Sequence, residues 1–238
     1  MNIYAIADLH LSFDGAKPMD IYGGQWIDHT VRLEKNWRSM VSEEDVVILA
    51  GDLSWSLKQE GAVEDLNWIS ALPGKKVLIK GNHDLWWTSA NKLNRLYDNM
   101  YFLQNTYYKA GDYAICGSRG WICPGDIEFT THDRKIYQRE LVRLRMSLEE
   151  AKKAGETHII GAIHFPPANE GLEDSGFTDL FEEFGVELVV YGHLHGTDAH
   201  LKGLKGIRNG VEYRLVACDY LSCRPLRLIP GFCKGVAR

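Results

Sequence analysis

The chain has 238 residues, of which 45% are hydrophobic and 25% are charged, and its formal net charge at pH 7 is −5. These values are typical of a globular protein, so we expect one domain over residues 1–238 with a well-buried core. The negative charge argues against a broad basic surface for duplex nucleic acid, and no apolar run approaches the roughly 20 residues that span a bilayer. We therefore expect no clear nucleic-acid surface and no membrane segment.

The hydrophobic pattern predicts strands and helices that alternate along the chain. The predicted strands cover residues 3–7, 45–50, 76–80, 101–103, 112–117, 157–163 and 187–191, followed by a hairpin around 209–210 whose second strand runs to about residue 218. The predicted helices cover residues 30–40, 61–72, 88–97 and 132–154. This alternation favours an α/β or layered sheet core.

Polar side chains follow five of these strands. The first strand ends in Asp8-Leu9-His10, and side chains two apart on a strand point the same way, so this pair can converge on one ion. Each motif alone has an ordinary alternative, because Asp, Asn and His are also common turn residues. The later strand ends carry Gly51-Asp52, Gly81-Asn82-His83-Asp84, His164, and Gly192-His193-Leu194-His195.

Two long loops and one helix leave alternatives open. Residues 12–29 form either a flap that faces a substrate or a surface loop that buries Tyr22 and Trp26. In the loop over residues 118–131, Arg119 either grips a phosphate or is a surface arginine. The charges of the helix at 132–154 mix both signs, which favours a solvated face.

The cysteines and the N-terminus predict a cytoplasmic protein. The cysteine count is odd and no C-x-x-C pair occurs, which fits free thiols better than a disulfide framework or a zinc knuckle. Residues 3–7 are already strand-like, with no leader-like segment before them. The cysteines are Cys116, Cys123, Cys218, Cys223 and Cys233.

Taken together, the five strand-end motifs are hard to explain as chance, because an α/β core would gather them at one edge of the sheets. Their order, D-x-H, G-D, G-N-H-D, a lone H and G-H-x-H, resembles the calcineurin-like metallophosphoesterase superfamily over residues 8–195. The resemblance implies an α/β (α+β) fold, a four-layer αββα sandwich with two mixed β-sheets face to face.

The resemblance also implies a centre of two divalent or trivalent metal ions, Mn, Fe or Zn. One ion would be held by Asp8, His10, Asp52 and His195, and the other by Asp52, Asn82, His164 and His193. Imidazole, carboxylate and amide donors suit these metals, whereas a soft structural zinc cluster would use thiolates. A metal-bound hydroxide would be the nucleophile.

By the same resemblance, His83 would protonate the leaving group or stabilise the transition state, and Asp84 would fix the orientation of His83 as its carboxylate partner. We expect a metallophosphoesterase, either a phosphatase or a phosphodiesterase, that acts on a small phosphorylated substrate. A nuclease or a nucleotide pyrophosphate-bond hydrolase would use the same site. A non-catalytic metal-binding scaffold is less consistent with the sequence, since every expected position is filled.

Overall fold

The computed structural model describes residues 1–229, which fold into two β-sheets flanked by helices. The strands are β1 (Ile3–Ile6), β2 (Val46–Ala50), β3 (Lys75–Ile79), β4 (Met100–Phe102), β5 (Tyr107–Ala110), β6 (Tyr113–Ser118), β7 (His158–Ile163), β8 (Leu188–Tyr191), β9 (Gly206–Arg208), β10 (Val211–Leu215) and β11 (Leu226–Ile229). The helices are α1 (His29–Met40), α2 (Val63–Ala71), α3 (Ala90–Leu93), α4 (Thr131–Lys153), α5 (Gly176–Glu183) and α6 (Thr197–Lys202).

Both sheets are parallel at their centres, and their antiparallel strands lie at edges. The first sheet has the order β11-β1-β2-β3-β4, in which β1 to β4 run parallel and β11 pairs antiparallel with β1. The second has the order β5-β6-β7-β8-β10-β9, in which β6, β7, β8 and β10 run parallel. Parallel neighbours end at the same edge of a sheet, so this topology gathers the residues that follow each strand.

The side-chain alternation of the strands builds the layers. Along β1, Ile3 and Ala5 pack between the two sheets, whereas Tyr4 and Ile6 pack on the other face, in the same buried cluster as Trp37 of α1. On the outer face of the second sheet, buried side chains of α4 and α5 form a third cluster with β7 and β8. The result is helix, sheet, sheet, helix, which confirms the predicted four-layer αββα sandwich.

Several local predictions differ from the structure. The helix predicted over residues 88–97 is reduced to α3, a single turn, and the side chain of Ser89 at its start makes no capping hydrogen bond. The short elements β5, β11, α5 and α6 were not predicted. The prediction that the charged residues of α4 form a solvated face is wrong for Glu140, which is fully buried among arginines.

The cysteines and the helices are consistent with the expected free thiols and with the expected lack of a membrane segment in the described residues. Within residues 1–229, Cys116, Cys123, Cys218 and Cys223 are buried and free, and Cys233 lies outside this range. None of the helices in the described part of the chain is long and apolar enough to cross a membrane. The predictions of a single domain to residue 238 and of a cytoplasmic location stay predictions.

Candidate metal centre and active site

All seven predicted metal ligands lie together at the carboxyl edge of the two sheets. Asp8, His10 and His195 place one donor atom each within 4.8 Å of one another, although they come from opposite ends of the sequence. A second group with the same spacing consists of Asp52, His164 and His193.

The side chain of Asn82 belongs to the second group. Its Oδ1 lies 2.8 Å from Nε2 of His164 and 3.0 Å from Nδ1 of His193. The loop after β3 places this amide beside the strand ends of the other sheet. The two groups therefore match the two ligand sets that the sequence predicted, although the ligand roles themselves stay predictions.

Asp52 lies between the two groups. Its Oδ2 is 3.9 Å from Nε2 of His10 and 3.4 Å from Nε2 of His164, one histidine from each group. Its Oδ1 accepts a hydrogen bond from the backbone N–H of His83 at 2.8 Å, which fixes the carboxylate plane. A carboxylate in this position is suited to bridging two cations.

The histidines of the first group point their ring nitrogens at a common space. Nε2 of His10 lies 3.1 Å from Nε2 of His195, and Nε2 of His195 lies 3.7 Å from Oδ1 of Asp8. Both oxygens of Asp8 also accept the backbone N–H of His193, at 3.1 and 3.0 Å. Donor atoms that converge in this way from rigid strand ends are typical of a metal site.

The backbone at the site is strained. The φ angles of Asp8, His10, Asp52 and His193 are 59°, 45°, 53° and 71°, in the left-handed region that side chains disfavour. Each such residue costs on the order of 1 kcal/mol or more, and such strain clusters at functional sites. All four residues are candidate ligands, so the strained backbone occurs where the donor atoms are positioned.

Two glycines of the motifs lie where a larger residue would clash with a candidate ligand. A Cβ at Gly81 would clash with the carboxylate and backbone of Asp52, and a Cβ at Gly192 would clash with the carboxylate of Asp8. Only glycine allows the loop backbone to pass this close to a ligand. The glycine-ligand pairs in the sequence therefore reflect contacts between different motifs.

Crowding of buried acids and imidazoles perturbs their pKa values. Burial raises the pKa of Asp8 to about 7, although His195 and His164 oppose the shift. Burial acts to lower the pKa of His164, but the neighbouring Asp52 carboxylate overcomes it and raises the pKa to about 9. Burial and the charge of His164 lower the pKa of His193 to about 3. Such perturbed groups gathered in one cleft are a mark of functional sites.

The donor set fits a pair of divalent cations. The predicted ligands offer imidazoles, carboxylates and one amide, and none of these donors is a thiolate. Nδ1 of His10 is buried without a hydrogen-bond partner in residues 1–229, while its Nε2 faces the other donors. Nitrogen and oxygen donors of this kind suit Mn, Fe or Zn.

Asp219 is a site residue that the sequence analysis missed. Its Oδ1 lies 3.1 Å from Nδ1 of His195, its Oδ2 accepts the backbone N–H of Gly196 at 3.0 Å, and the same oxygen lies 3.2 Å from Nε2 of His200. A carboxylate behind a histidine fixes the tautomer and the ring orientation of a ligand. Asp219 could have been predicted from the sequence, because it directly follows the last predicted strand, as the other motifs follow their strands.

His83 and Asp84 have different environments. The His83 side chain is 43% exposed, packs on Trp55 with ring centroids 4.3 Å apart, and places Nε2 4.0 Å from Oδ2 of Asp52. It can therefore reach a substrate in the cleft.

Asp84 is fully buried and holds the loops instead. Its oxygens accept backbone N–H groups of Asp52, Leu53, Ser54 and Gly81. Nε1 of Trp86 donates to it at 3.0 Å. Within residues 1–229 the ring of His83 donates no hydrogen bond to the Asp84 carboxylate, its predicted orienting partner. Burial and the charge of Asp52 raise the pKa of Asp84 to about 6.

A cleft of about 850 Å³ opens above the candidate ligands. The segment over residues 12–29 both lines it and packs under it: Tyr22 is 59% exposed at its wall, whereas Trp26 is buried against His10 and His195. Trp26 is thus buried as the second interpretation expected, whereas a substrate-facing role of this segment stays a prediction. Trp55, another residue missed from sequence, stacks on His10 at 4.5 Å.

A sandwich of two sheets with paired Asp and His groups at its strand ends has the architecture of a dinuclear metallohydrolase. The profile of the calcineurin-like phosphoesterase family matches residues 1–197, so the chain belongs to this family. The predictions of the superfamily and of a metallophosphoesterase are thereby confirmed, and with them metal-dependent hydrolysis of phosphoesters in general.

A curated relative and two solved structures are similar to this chain. The chain is 34% identical to the gene 66 protein of Mycobacterium phage D29 over 197 residues, which cover 82% of this chain and 78% of that protein. A solved structure, the phosphopantetheinyl hydrolase of Mycobacterium tuberculosis, superposes with a TM-score of 0.57 at 17% identity over 98% of both chains. A protein of Thermus thermophilus superposes with a TM-score of 0.55 at 13% identity over 82% of both. At these identities the two structures support the fold alone.

Proposed function

We propose that this metallophosphoesterase hydrolyses phosphodiesters of small organic molecules. The observation that supports a diester is that His193 lines two cavities, the cleft of about 850 Å³ and an apolar groove of about 520 Å³. A phosphorus atom held beside His193 would have room for one organic arm in each cavity. A phosphate monoester would occupy only one of them.

The ligand residues would hold the phosphate through the cations they bind. In this proposal Asp8, His10 and His195 would hold one ion, Asn82, His164 and His193 would hold the second, and Asp52 would contribute to both. Two divalent cations, Mn, Fe or Zn, would neutralise phosphate charge and lower the pKa of water at the site toward neutrality. Asp219 would keep the His195 ring in the tautomer that leaves Nε2 free for the metal.

His83 would donate the proton that the leaving oxygen needs. Its ring lies beside Asp52 yet is partly open to the cleft, so it can approach a substrate without being a ligand. Its backbone N–H is fixed by Asp52 and its ring by Trp55, which limits the positions of Nε2. Asp84 would act through the backbone of both loops, as a positioning residue.

The aromatic wall would bind the organic arm. Tyr22, Trp26, Trp55 and Tyr220 line the cleft, and the ammonium of Lys17 lies 3.3 Å from the Trp55 ring centroid. Flat apolar side chains stack on planar or apolar groups, and a cation nearby attracts a phosphorylated molecule. This wall supports the expected small phosphorylated substrate.

The test compares bis(p-nitrophenyl) phosphate with p-nitrophenyl phosphate on metal-loaded wild type and on His83→Ala, Asp52→Asn and His132→Ala. We expect faster diester turnover, a loss of about 10²–10⁴-fold in kcat with unchanged metal content for His83→Ala, and loss of metal for Asp52→Asn. His132 is an exposed histidine of α4, so His132→Ala should match wild type.

Three outcomes would contradict parts of this proposal. Faster monoester turnover would make the protein a phosphatase instead. Equal loss of metal in His83→Ala and Asp52→Asn would remove the separate role of His83. Metal-dependent cleavage of a dinucleotide, with neither synthetic ester cleaved, would favour the nucleotide-directed alternative.

A further inference from the structure

A basic pocket lies at the ends of β3 and β6, and it shares no lining residue with the cleft over the candidate ligands. Its volume is about 250 Å³. Four cationic side chains and one carboxylate line it, so it holds a surplus of positive charge although the whole chain is negative. These charged residues are Lys80, Arg119, Arg139, Glu140 and Arg143.

Three guanidinium groups share a single carboxylate oxygen in this pocket. Nη1 of Arg143 lies 2.8 Å from Oε1 of Glu140. Nη2 of Arg119 lies 3.5 Å and Nε of Arg139 lies 3.8 Å from that same oxygen. Glu140 is fully buried, and its single negative charge cannot neutralise three guanidiniums and an ammonium.

Polar atoms in the pocket also lack partners. Nε of Arg119 and Oε2 of Glu140 are buried without a hydrogen-bond partner in the described part of the chain. The Arg119 side chain is only 18% exposed, and its guanidinium is held 4.4 Å from the Trp121 ring centroid. The guanidinium of Arg119 is therefore held in place before any ligand arrives, which lowers the entropic penalty of binding.

We propose that this pocket binds the phosphate group of a small molecule. Guanidinium groups bind phosphate oxygens through paired hydrogen bonds, and clusters of arginine are the usual receptors of phosphate groups. A pocket of about 250 Å³ has room for a phosphate group with few further atoms. The group is supplied either by inorganic phosphate or by a phosphate monoester.

The test is isothermal titration calorimetry of the metal-loaded full chain with inorganic phosphate and with methylphosphonate, a non-hydrolysable mimic of a monoester. We expect two phosphates per chain. The double variant Arg139→Gln/Arg143→Gln should weaken one of them at least tenfold, whereas Arg134→Gln, on an exposed arginine of the same helix, should retain both. Asp52→Asn should remove the other, so failure of the metal centre and failure of this pocket are separable.

Tighter binding of methylphosphonate would support a monoester as the ligand, and tighter binding of phosphate would support the free ion. Unchanged stoichiometry and affinity in the double variant would overturn the proposal, and so would loss of all phosphate binding in Asp52→Asn. If the double variant does not fold, crystals of the wild type soaked in tungstate decide: a heavy-atom peak among the arginines supports the pocket, and peaks at the metal centre alone overturn it.

Discussion

Replacing Asp219 by Asn should weaken one metal site and spare the other. The carboxylate accepts from His195 and from the backbone N–H of Gly196, and its side chain is only 5% exposed, so solvent screens it little. In Asn, one oxygen is retained and the charge is lost. The ring of His195 then loses a charge-assisted hydrogen bond that fixes its orientation.

The magnitude follows from the role of such partners. Loss of a carboxylate behind a ligating histidine typically lowers metal affinity about 10–100-fold, which corresponds to about 1.4–2.7 kcal/mol. Only the ion beside Asp8, His10 and His195 should be affected, because Asp219 contacts no residue of the other group in residues 1–229.

The assay is competition of the protein with a chromophoric chelator for Zn²⁺ or Mn²⁺, which resolves two affinities. Asp198→Asn is the matched control, since Asp198 is an exposed acid two residues from Gly196. Two unchanged affinities in Asp219→Asn would refute the orienting role of the carboxylate. An equal decrease at both sites would show a general loosening of the centre instead.

Three further predictions concern buried groups. Burial lowers the pKa of Lys76 to about 8, below the 10.5 of the unfolded chain. As the pH increases from 8 to 10.5, the free energy of unfolding should therefore rise by at most about 3 kcal/mol. Urea titrations should show this rise in wild type and a flatter pH profile in Lys76→Met. Gly81→Ala should lose metal, because its Cβ takes the space of the Asp52 carboxylate, and wild-type metal content by plasma emission spectroscopy would contradict this. Trp86→Phe removes the indole donor to Asp84 and should lower the free energy of unfolding by about 1–3 kcal/mol in urea, whereas an unchanged value would show that the bond contributes nothing.

Much of the fold could be predicted because its central strands are long apolar runs. Each of β1, β2, β3, β7 and β8 is nearly or wholly buried, so apolar residues occupy most of both faces and the pattern predicts a strand. Edge strands β5 and β11 are partly exposed, and their mixed composition does not separate them from loops. The single turn of α3 shows that a favourable local pattern does not decide helix length without packing.

The candidate ligands could be predicted for a related reason. A polar side chain directly after a buried strand is constrained to the edge of the sheet, and seven such positions in a known order left few alternatives. The effect of a residue from one segment on the environment of a residue in another segment could not be predicted in this way. Glu140 appears in the sequence as one charge of a mixed helix, yet the side chain of Arg119, from a distant loop, helps make its environment a basic pocket.

The sequence by itself determined which residues stand at the strand ends and which donor chemistry they offer, because both depend on local pattern and residue type. Only the tertiary structure decided that Asp84 holds backbone amides and that Asp219 supports His195. The physical reason is that these relations join segments far apart in the chain, so loop closure must bring them together. Their distances depend on how two sheets pack, which no local pattern specifies.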